Sequence, residues 1–418
     1  MRRADTWWQR VAQAALMLAV PFGAAQAAAD APKGSLVIIG GNLQADNAEV
    51  WQRIVQLAGG PGAKLAVLPS AAADPAPVGA AIVERFRTYG ADAFLVPLAV
   101  KLADSDYRQV ADDPQLADAV RSAGGVFFAG GDQARITQAL VRPDGSRSAV
   151  LDAVWDLYRN GGVVAGNSAG AAIMSSTMFY APGPVFSALR AGVTEGREIA
   201  PGLGFIGDDV FVDQHFLVRG RFARMIPAML KKGYKFGLGI DENTAMVVDS
   251  RRQVEIVGHR GALLVDLRRA TTDASHGGFN VANAMLSYLD KGDRYDLSSH
   301  TFIPSQAKAG GKLDHRTAQM AQPVFSADIL ARNALMELME NLINNRRSEA
   351  IGIATSGRNS PLPELGFQFT FSKTRDSVGY ASAAQQSYSI LNMRLDIRPL
   401  DIGQSLSSSL NQSLPQKN

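Results

Sequence analysis

Apolar runs alternate with amphipathic stretches from residue 35 onward, and this alternation predicts strands joined by helices. Fully apolar runs predict buried strands at 35–41, 63–69, 93–98 and 125–129, with a fifth beginning at Val163. Amphipathic stretches predict helices at 47–57, 78–89, 114–123 and 149–159. Strands without polar positions are buried on both faces. The first half of the chain therefore predicts an α/β fold with a doubly wound, mostly parallel sheet.

The pattern changes in the second half of the chain. Shorter strands joined by turns are predicted at 210–214, 235–240, 244–248, 254–257 and 262–267. Residues 301–323 are polar and irregular, which favours a domain boundary. We therefore predict a catalytic domain over 33–304 and a C-terminal α+β extension of unknown role over 305–418. Within the extension the pattern predicts a helix at 326–345, strands at 365–372 and 387–397, and a low-complexity tail over 405–418.

Composition narrows the classes of function. Hydrophobic residues make up 46% of the chain and charged residues 19%, as in a globular protein with a large core. The formal net charge is +3 and falls to +1 without residues 1–27, so charge predicts neither a nucleic-acid nor a membrane-surface partner. The chain has no cysteine, which excludes a thiol nucleophile and thiolate metal sites. No metal or cofactor is expected.

Residues 1–27 are typical of a secretory signal peptide. Arg2 and Arg3 form a basic start, 11–25 is a short apolar run, and Ala25-Gln26-Ala27 has the small residues of a cleavage site. No stretch of the chain is long and apolar enough to predict a membrane span. The sequence therefore predicts a secreted protein.

The most informative motif is Gly-Asn-Ser-Ala-Gly, centred on Ser168. It follows a buried strand and precedes a helix, which is the context of a nucleophile on a sharp strand-to-helix turn. Such a turn exposes the serine hydroxyl and is crowded enough to require glycine at 166 and 170. The competing interpretation is an ordinary glycine- and alanine-rich turn, and the context favours catalysis.

A nucleophilic serine needs a base, and His215 is the candidate. It follows the predicted strand 210–214 and lies 47 residues after Ser168. In many hydrolases with this motif the acid lies between serine and histidine in the chain. That order favours Glu195 as the acid that orients His215, with Glu198 as the alternative; both are also consistent with ordinary solvated side chains.

Further residues suit oxyanion stabilisation and substrate binding. The Gly131 and Ala169 N–H groups are predicted oxyanion donors, although Asp132 after Gly131 also suits a helix cap. Arg219, Arg221 and Arg224 cluster after His215 and predict a substrate rich in carboxylates, because guanidinium groups bind carboxylates in a bidentate manner. The acidic cluster 241–243 is expected to hold a cationic group.

These motifs together resemble a known family. They are Gly-Gly-Asp-Gln (130–133), Gly-Asn-Ser-Ala-Gly-Ala (166–171), Asp-Gln-His-Phe with Arg-Gly-Arg (213–221) and Gly-Ile-Asp-Glu-Asn-Thr-Ala (239–245). They resemble the cyanophycinases, which belong to the serine peptidase family that includes dipeptidase E. The resemblance covers residues 33–304 and implies a fold related to the class I glutamine amidotransferases. With the signal and the extension, the chain is most similar to the extracellular members.

The resemblance implies hydrolysis of cyanophycin, a poly-aspartate with arginine joined to each side-chain carboxyl, to β-Asp-Arg dipeptides. It implies that Ser168 is the nucleophile, that His215 is the base, and that the protein is a homodimer. The positions that it implies contact substrate are Gln133, Asp213, Gln214, Arg219, Arg221 and Arg224.

Two alternatives stay open from the sequence. One is an aspartyl dipeptidase of the same fold, and the other is an exported binding protein without activity. A lipase or esterase of the α/β-hydrolase type is less favoured, because 47 residues between Ser168 and His215 leave little room for the intervening βα units of that fold.

Overall fold

Two nine-stranded sheets organise the part of the chain that the structure describes. The structure is a computed structural model, and it describes residues 31–275, 277–314, 318–356, 365–383 and 387–401. The predicted signal segment 1–27 and the predicted tail 405–418 lie outside the described residues. Among the described helices, none combines the length and the apolar character needed to cross a bilayer.

The first sheet contains the five parallel strands that the sequence predicts. Its strands are β1 (Ser35–Ile39), β2 (Lys64–Leu68), β3 (Asp92–Leu95), β4 (Gly125–Phe128), β5 (Val163–Asn167), β10 (Thr244–Val248), β11 (Gln253–Gly258), β14 (Arg294–Asp296) and β15 (Thr301–Ile303). Their order is β15-β14-β11-β10-β1-β5-β4-β2-β3. The neighbours from β1 to β3 are all parallel, whereas β10, β11, β14 and β15 add antiparallel strands on the other side of β1.

Helices cover both faces of this sheet. Among the described residues the α-helices are, in chain order, α1 (Ala48–Leu57), α2 (Pro75–Thr88), α3 (Tyr107–Ala111), α4 (Pro114–Arg121), α5 (Gln133–Leu140), α6 (Ala149–Arg159), α7 (Ala169–Ala172), α8 (Val185–Ala191), α9 (Phe222–Lys232) and α10 (Ala334–Ile343). Leu36 and Ile38 pack into one buried cluster with α4 and α6, while Val37 and Ile39 pack into another with α1 and α2. The predicted α/β class with a doubly wound parallel sheet is confirmed.

Local side chains fix where several helices begin. Ser148 Oγ accepts a hydrogen bond from Leu151 N, and Asp113 Oδ1 accepts bonds from two amides at the start of α4, where Pro114 is the first helical residue. Asp132 Oδ1 accepts from Ala134 N at 3.0 Å, so the helix-cap interpretation of Asp132 is confirmed.

The second sheet joins the middle of the chain to its C-terminal part. Its strands are β8 (Val210–Gln214), β9 (Phe236–Ile240), β12 (Ala262–Asp266), β13 (Val281–Leu289), β16 (Val324–Ser326), β17 (Glu349–Thr355), β18 (Leu365–Ser372), β19 (Val378–Ala381) and β20 (Tyr388–Asp401). The order is β16-β17-β18-β20-β13-β12-β9-β8, and β19 pairs with β20. Strands β6 (Thr177–Phe179) and β7 (Ile199–Pro201) form a separate ribbon.

The region predicted as an extension shares a sheet and a core with the region before it. β20 pairs along β13, and one buried cluster holds Phe222 of α9 together with Phe367, Phe369 and Phe371 of β18. The helix predicted over 326–345 is observed only as α10, because 324–326 pair with β17 instead and α10 begins after Asn333, which has a left-handed backbone. In the structure, the sequence boundary near residue 305 therefore does not separate two cores.

We expect Phe369→Ala to destabilise both sheets together. The Phe369 side chain is fully buried, and its ring centroid lies 5.6 Å from that of Phe222. The cavity should lower the free energy of unfolding by about 3–5 kcal/mol. Urea unfolding of a chain starting at residue 28 is followed by the fluorescence of its two tryptophans, Trp51 and Trp155, which lie on α1 and α6 beside the first sheet.

The matched control is Phe325→Ala, since the Phe325 side chain is 61% exposed and its loss should change stability by less than about 0.5 kcal/mol. In Phe369→Ala, the urea midpoint of the tryptophan fluorescence could stay unchanged while far-UV circular dichroism shows strands lost at lower urea. That result would mean that the C-terminal strands unfold independently.

Candidate active site

Ser168 occupies a strained turn between β5 and α7. Its backbone has φ 55° and ψ −106°, a region that costs a residue other than glycine about 1–3 kcal/mol. A Cβ on Gly166 would lie 2.1 Å from the Gly170 carbonyl oxygen, and one on Gly170 would lie 2.4 Å from that of Phe128. The predicted need for glycine at 166 and 170 is confirmed, and the turn lifts the serine side chain away from the sheet.

His215 lies at the end of β8 and contacts Ser168. Its Nε2 is 2.8 Å from Ser168 Oγ, so the structure brings the predicted nucleophile and the predicted base into hydrogen-bond contact. The His215 backbone also has a positive φ of 47°. A Cβ on Gly41 would lie 2.2 Å from His215 Cε1, so the absence of a side chain at 41 makes room for the imidazole.

The acid that contacts His215 is Glu242, which lies in the turn from β9 to β10. Glu242 Oε1 is 2.6 Å from His215 Nδ1, and its other oxygen, Oε2, accepts a hydrogen bond from Asn42 Nδ2 at 3.3 Å. The geometry therefore forms a continuous line from Ser168 Oγ through the imidazole to a carboxylate. Such a line holds the Nδ1–H tautomer and leaves the Nε2 lone pair facing the serine hydroxyl.

The prediction that Glu195 or Glu198 orients His215 is wrong. Glu195 Oε2 pairs with Lys232 Nζ at 2.7 Å, and Glu198 binds Arg197 Nε at 2.6 Å and the Thr194 amide at 2.8 Å. The expected chain order fails for a topological reason. β8 and β9 are parallel neighbours with Gln214 opposite Ile240, so the residues that follow Ile240 are the ones beside His215.

The electrostatics favour a neutral imidazole next to a charged carboxylate. Burial lowers the pKa of His215 below its usual 6.5, and the nearby guanidinium groups of Arg219 and Arg221 lower it further, against the opposing hydrogen bond to Glu242. For Glu242, desolvation acts to raise the pKa, but the contact with His215 and the positive charge of Arg219 outweigh it, so the net pKa is lowered.

The rest of the acidic cluster is used for structure. Asp241 Oδ1 accepts hydrogen bonds from the amides of Leu217 (2.9 Å) and Val218 (3.4 Å), which start a short 3₁₀ turn, and burial raises its pKa to about 6. Asn243 Oδ1 accepts from Asn47 Nδ2 at 2.8 Å. Asp241 and Asn243, two of the three residues predicted to hold a cationic group, therefore make internal hydrogen bonds instead.

Three successive carbonyl groups at the end of β1 hold the backbone of the site. Ile39 O accepts from Ser168 N (3.0 Å), Gly40 O from His215 N (2.7 Å) and Gly41 O from Asn243 N (2.8 Å). The end of one strand therefore contacts the backbone of all three parts of the site.

The predicted oxyanion donors lie around Ser168. Ala169 is the first residue of α7, and the Gly130-Gly131 turn packs on the serine, since a Cβ on Gly130 would lie 3.3 Å from Ser168 Cβ. Gln133 starts α5, and its Nε2 donates to the carbonyls of Phe179 (2.8 Å) and Tyr180 (3.1 Å).

The polar residues predicted to bind substrate fall into a buried and an exposed set. Asp213 and Arg224 form a buried bidentate ion pair with distances of 2.8 and 2.7 Å, and Arg224 also lies over the Phe179 ring. Arg221 Nη1 donates to the backbone and side-chain oxygens of Gln214, and burial lowers its pKa to about 10.

Arg219 is the exposed member of this set. Half of its side chain is exposed, and its Nη2 lies 4.0 Å from Glu242 Oε1. The site therefore combines the predicted nucleophile, the predicted base and the Glu242 carboxylate with three predicted substrate-binding arginines, of which Arg219 is half exposed and the other two are largely packed.

Comparisons with known proteins match the chain to one peptidase family. The sequence profile described as Peptidase family S51 matches residues 36–256. The chain is 31% identical over 285 residues to the cyanophycinase of Trichormus variabilis, covering 66% of this chain and 89% of that protein. It is 31% identical over 276 residues to the cyanophycinase of Geminocystis herdmanii, covering 64% of this chain and 95% of that protein.

Solved structures give weaker matches. A peptidase from an acI-B1 Actinobacterium aligns with a TM-score of 0.43 at 22% identity, covering 56% of this chain and 91% of that one. The sequence profile, by contrast, spans more than half of the chain, and its range includes all three members of the Ser168, His215 and Glu242 line. The chain belongs to peptidase family S51 and is a serine-type peptidase.

Proposed function

We propose that this protein is a secreted serine exopeptidase that hydrolyses cyanophycin to β-Asp-Arg dipeptides through an acyl-enzyme on Ser168. The observation that carries the proposal is the hydrogen-bonded line from Ser168 to Glu242 beside a cluster of arginines, in a chain that is 31% identical to cyanophycinases over 285 residues.

In the proposed mechanism Ser168 Oγ attacks the scissile carbonyl while His215 Nε2 takes its proton. Glu242 holds the imidazole by its Nδ1–H and stabilises the positive charge that the ring gains. His215 then gives the proton to the leaving amine, and an acyl group remains on Ser168. A water molecule, deprotonated by the same imidazole, releases the acyl group.

The amides of Gly131 and Ala169 are the proposed donors to the oxyanion. The support is their position: one begins the helix after the nucleophile, and the other lies in the turn packed on Ser168. Backbone donors placed where charge develops stabilise the transition state by several kcal/mol.

The substrate chemistry fits the side chains around the nucleophile. Cyanophycin carries free carboxylates and guanidinium groups, and Arg219 offers an exposed fork for a carboxylate. Gln133, Gln214 and Arg221 are the further proposed contacts. Asp213 and Arg224, which bind each other, are proposed to act by fixing the position of Arg221, whose Nη1 lies 3.5 Å from Asp213 Oδ1.

Export is proposed on the sequence of residues 1–27, with its basic start, short apolar run and Ala-Gln-Ala site. An enzyme for an insoluble polymer outside the cell needs such a route.

Ser168→Ala tests the function directly. The variant should lose cyanophycin clearing, because Oγ is the atom that attacks the carbonyl. The assay measures release of soluble β-Asp-Arg from washed granules and, in parallel, cleavage of Asp-X dipeptides. Clearing at the unmutated rate by Ser168→Ala contradicts the mechanism. If the unmutated enzyme cleaves Asp-X dipeptides but does not clear granules, the aspartyl dipeptidase alternative is favoured.

Glu242→Gln should lower kcat by about 10²–10⁴-fold, because the imidazole loses the charge that stabilises its protonated form. Initial rates of dipeptide release at saturating substrate measure the effect. Glu195→Gln and Glu198→Gln are the matched controls and should stay within about twofold of the unmutated enzyme, since their carboxylates pair elsewhere. A loss of equal size in either control would contradict the assignment of Glu242.

The pH profile should report the environment of His215. Only the neutral imidazole accepts the serine proton, and because the pKa of His215 is lowered, the neutral form persists to more acidic pH. The acid limb of kcat/KM should therefore have its midpoint below pH 6.5. Arg219→Gln should move the midpoint upward by removing a nearby positive charge, whereas Arg251→Gln, at an exposed residue paired with Asp249, should leave it in place. A midpoint at or above 6.5 in the unmutated enzyme would argue against this account.

A further inference from the structure

A segment of the C-terminal region, residues 328–334, packs directly on the active-site turn; we call it the docking segment. The Asn333 amide donates to the Leu217 carbonyl at 3.1 Å, and Asn333 Oδ1 accepts from Arg260 Nη1 at 2.9 Å. A Cβ on Gly220 would lie 2.5 Å from the Leu330 carbonyl oxygen, so the two backbones are in close contact. The segment therefore touches both ends of the turn that carries Arg219.

The docking segment is held in place from the other side by the second sheet. Ile329 is fully buried, and its amide donates to the Ile353 carbonyl at 2.8 Å. Its side chain fills the space above Gly352, where a Cβ would lie 2.7 Å from Ile329 Cγ1. Asp328 Oδ1 accepts from the Leu330 amide and fixes the turn between them. Because contacts hold the docking segment on both sides, its backbone has a defined position relative to the active-site turn.

This placement brings Arg332 to the catalytic carboxylate. Arg332 Nη2 lies 4.0 Å from Glu242 Oε2, and Arg219 Nη2 lies 4.0 Å from Glu242 Oε1. The Arg332 side chain is 68% exposed and that of Arg219 is 51% exposed. Two guanidinium groups from distant parts of the chain thus flank the single carboxylate that binds His215.

The arrangement has more positive than negative charge at an open surface. One of the two oxygens of Glu242 already contacts His215 Nδ1 at 2.6 Å. An exposed ion pair at 4.0 Å stabilises a fold by less than about 1 kcal/mol, so stability does not account for the pair of arginines. Two exposed guanidinium groups around one carboxylate instead suit an anionic group of a ligand, and planar guanidinium groups match a carboxylate best.

We propose that Arg332 is a substrate-binding residue that acts with Arg219 to bind a free carboxylate of the polymer unit being cleaved. The inference rests on the proposed function and deepens it. In cyanophycin the free carboxylates along the chain are those of the arginyl groups. Arg332 lies beyond residues 36–256, the range that the family profile matches. The C-terminal region of this chain thereby contributes to substrate recognition at the active site itself.

The test compares Arg332→Gln with Arg375→Gln, a control at an arginine whose side chain is 92% exposed. Each variant is assayed on soluble cyanophycin fragments and on the same fragments with their carboxylates converted to amides. Arg332→Gln should raise KM for the native fragments about tenfold or more, the loss expected for a charged hydrogen bond, with kcat within about twofold. On the amidated fragments Arg332→Gln and the unmutated enzyme should have the same KM.

Arg332→Lys, which keeps the charge but loses the fork, should recover part of the affinity. Labelling of Ser168 by a fluorophosphonate at the unmutated rate shows that the fold and the nucleophile of each variant are intact. Three results would overturn the role of Arg332 but leave the proposed function standing. They are an unchanged KM of Arg332→Gln for native fragments, an equal rise in KM on native and amidated fragments, and a fall in kcat without a change in KM. Failure of the unmutated enzyme to hydrolyse any cyanophycin overturns the proposed function, and this inference with it.

Discussion

Three backbone hydrogen bonds to the end of β1 determine how the site is assembled. The carbonyls of residues 39, 40 and 41 accept, in that order, the amides of Ser168, of His215 and of the residue after Glu242. Each partner comes from a different segment of the chain, and Ser168 and His215 both have backbone conformations that are unfavourable for their residue types. Because β1 is central and buried on both faces, it supplies a rigid reference against which these strained turns are held.

The site also lies where the two sheets meet. Ser168 directly follows a strand of the first sheet, His215 directly follows a strand of the second, and Glu242 lies in the turn by which the chain passes from the second sheet to the first. The arginines divide according to depth. Arg224 is neutralised by Asp213 in the interior, where an unpaired charge would be costly, and serves as framework. Arg219 and Arg332 remain at the surface, where a guanidinium group keeps its hydration until a ligand replaces it.

The sequence predicted the five parallel strands of the first sheet because these strands are largely apolar, whereas the short strands β14 and β15 contain polar residues and were not predicted. Ser168 was predicted from the turn motif, and His215 was predicted from its place after a strand 47 residues further along the chain. Glu242 was missed because chain order was taken from other hydrolases, although its position after a strand parallel to that of His215 was a usable signal. The fusion of the C-terminal strands with the second sheet was not predictable, because β13 follows a polar segment and its partner is remote in the chain. The position of Arg332 beside Glu242 depends on these contacts between remote parts of the chain and was not predicted either.

The position of β20 has a consequence for biosynthesis. β13 and β20 pair across more than one hundred residues, as the contact from the Asn283 amide to Asp396, 113 residues later, illustrates. While the chain is being made, the outer edge of β13 has no partner until residues near 400 have emerged, and an unpaired edge is open to wrong pairings. The completed second sheet, with the docking segment fixed between it and the turn that carries Arg219, is thus a late product of synthesis, so that the surface carrying Arg219 and Arg332 forms last.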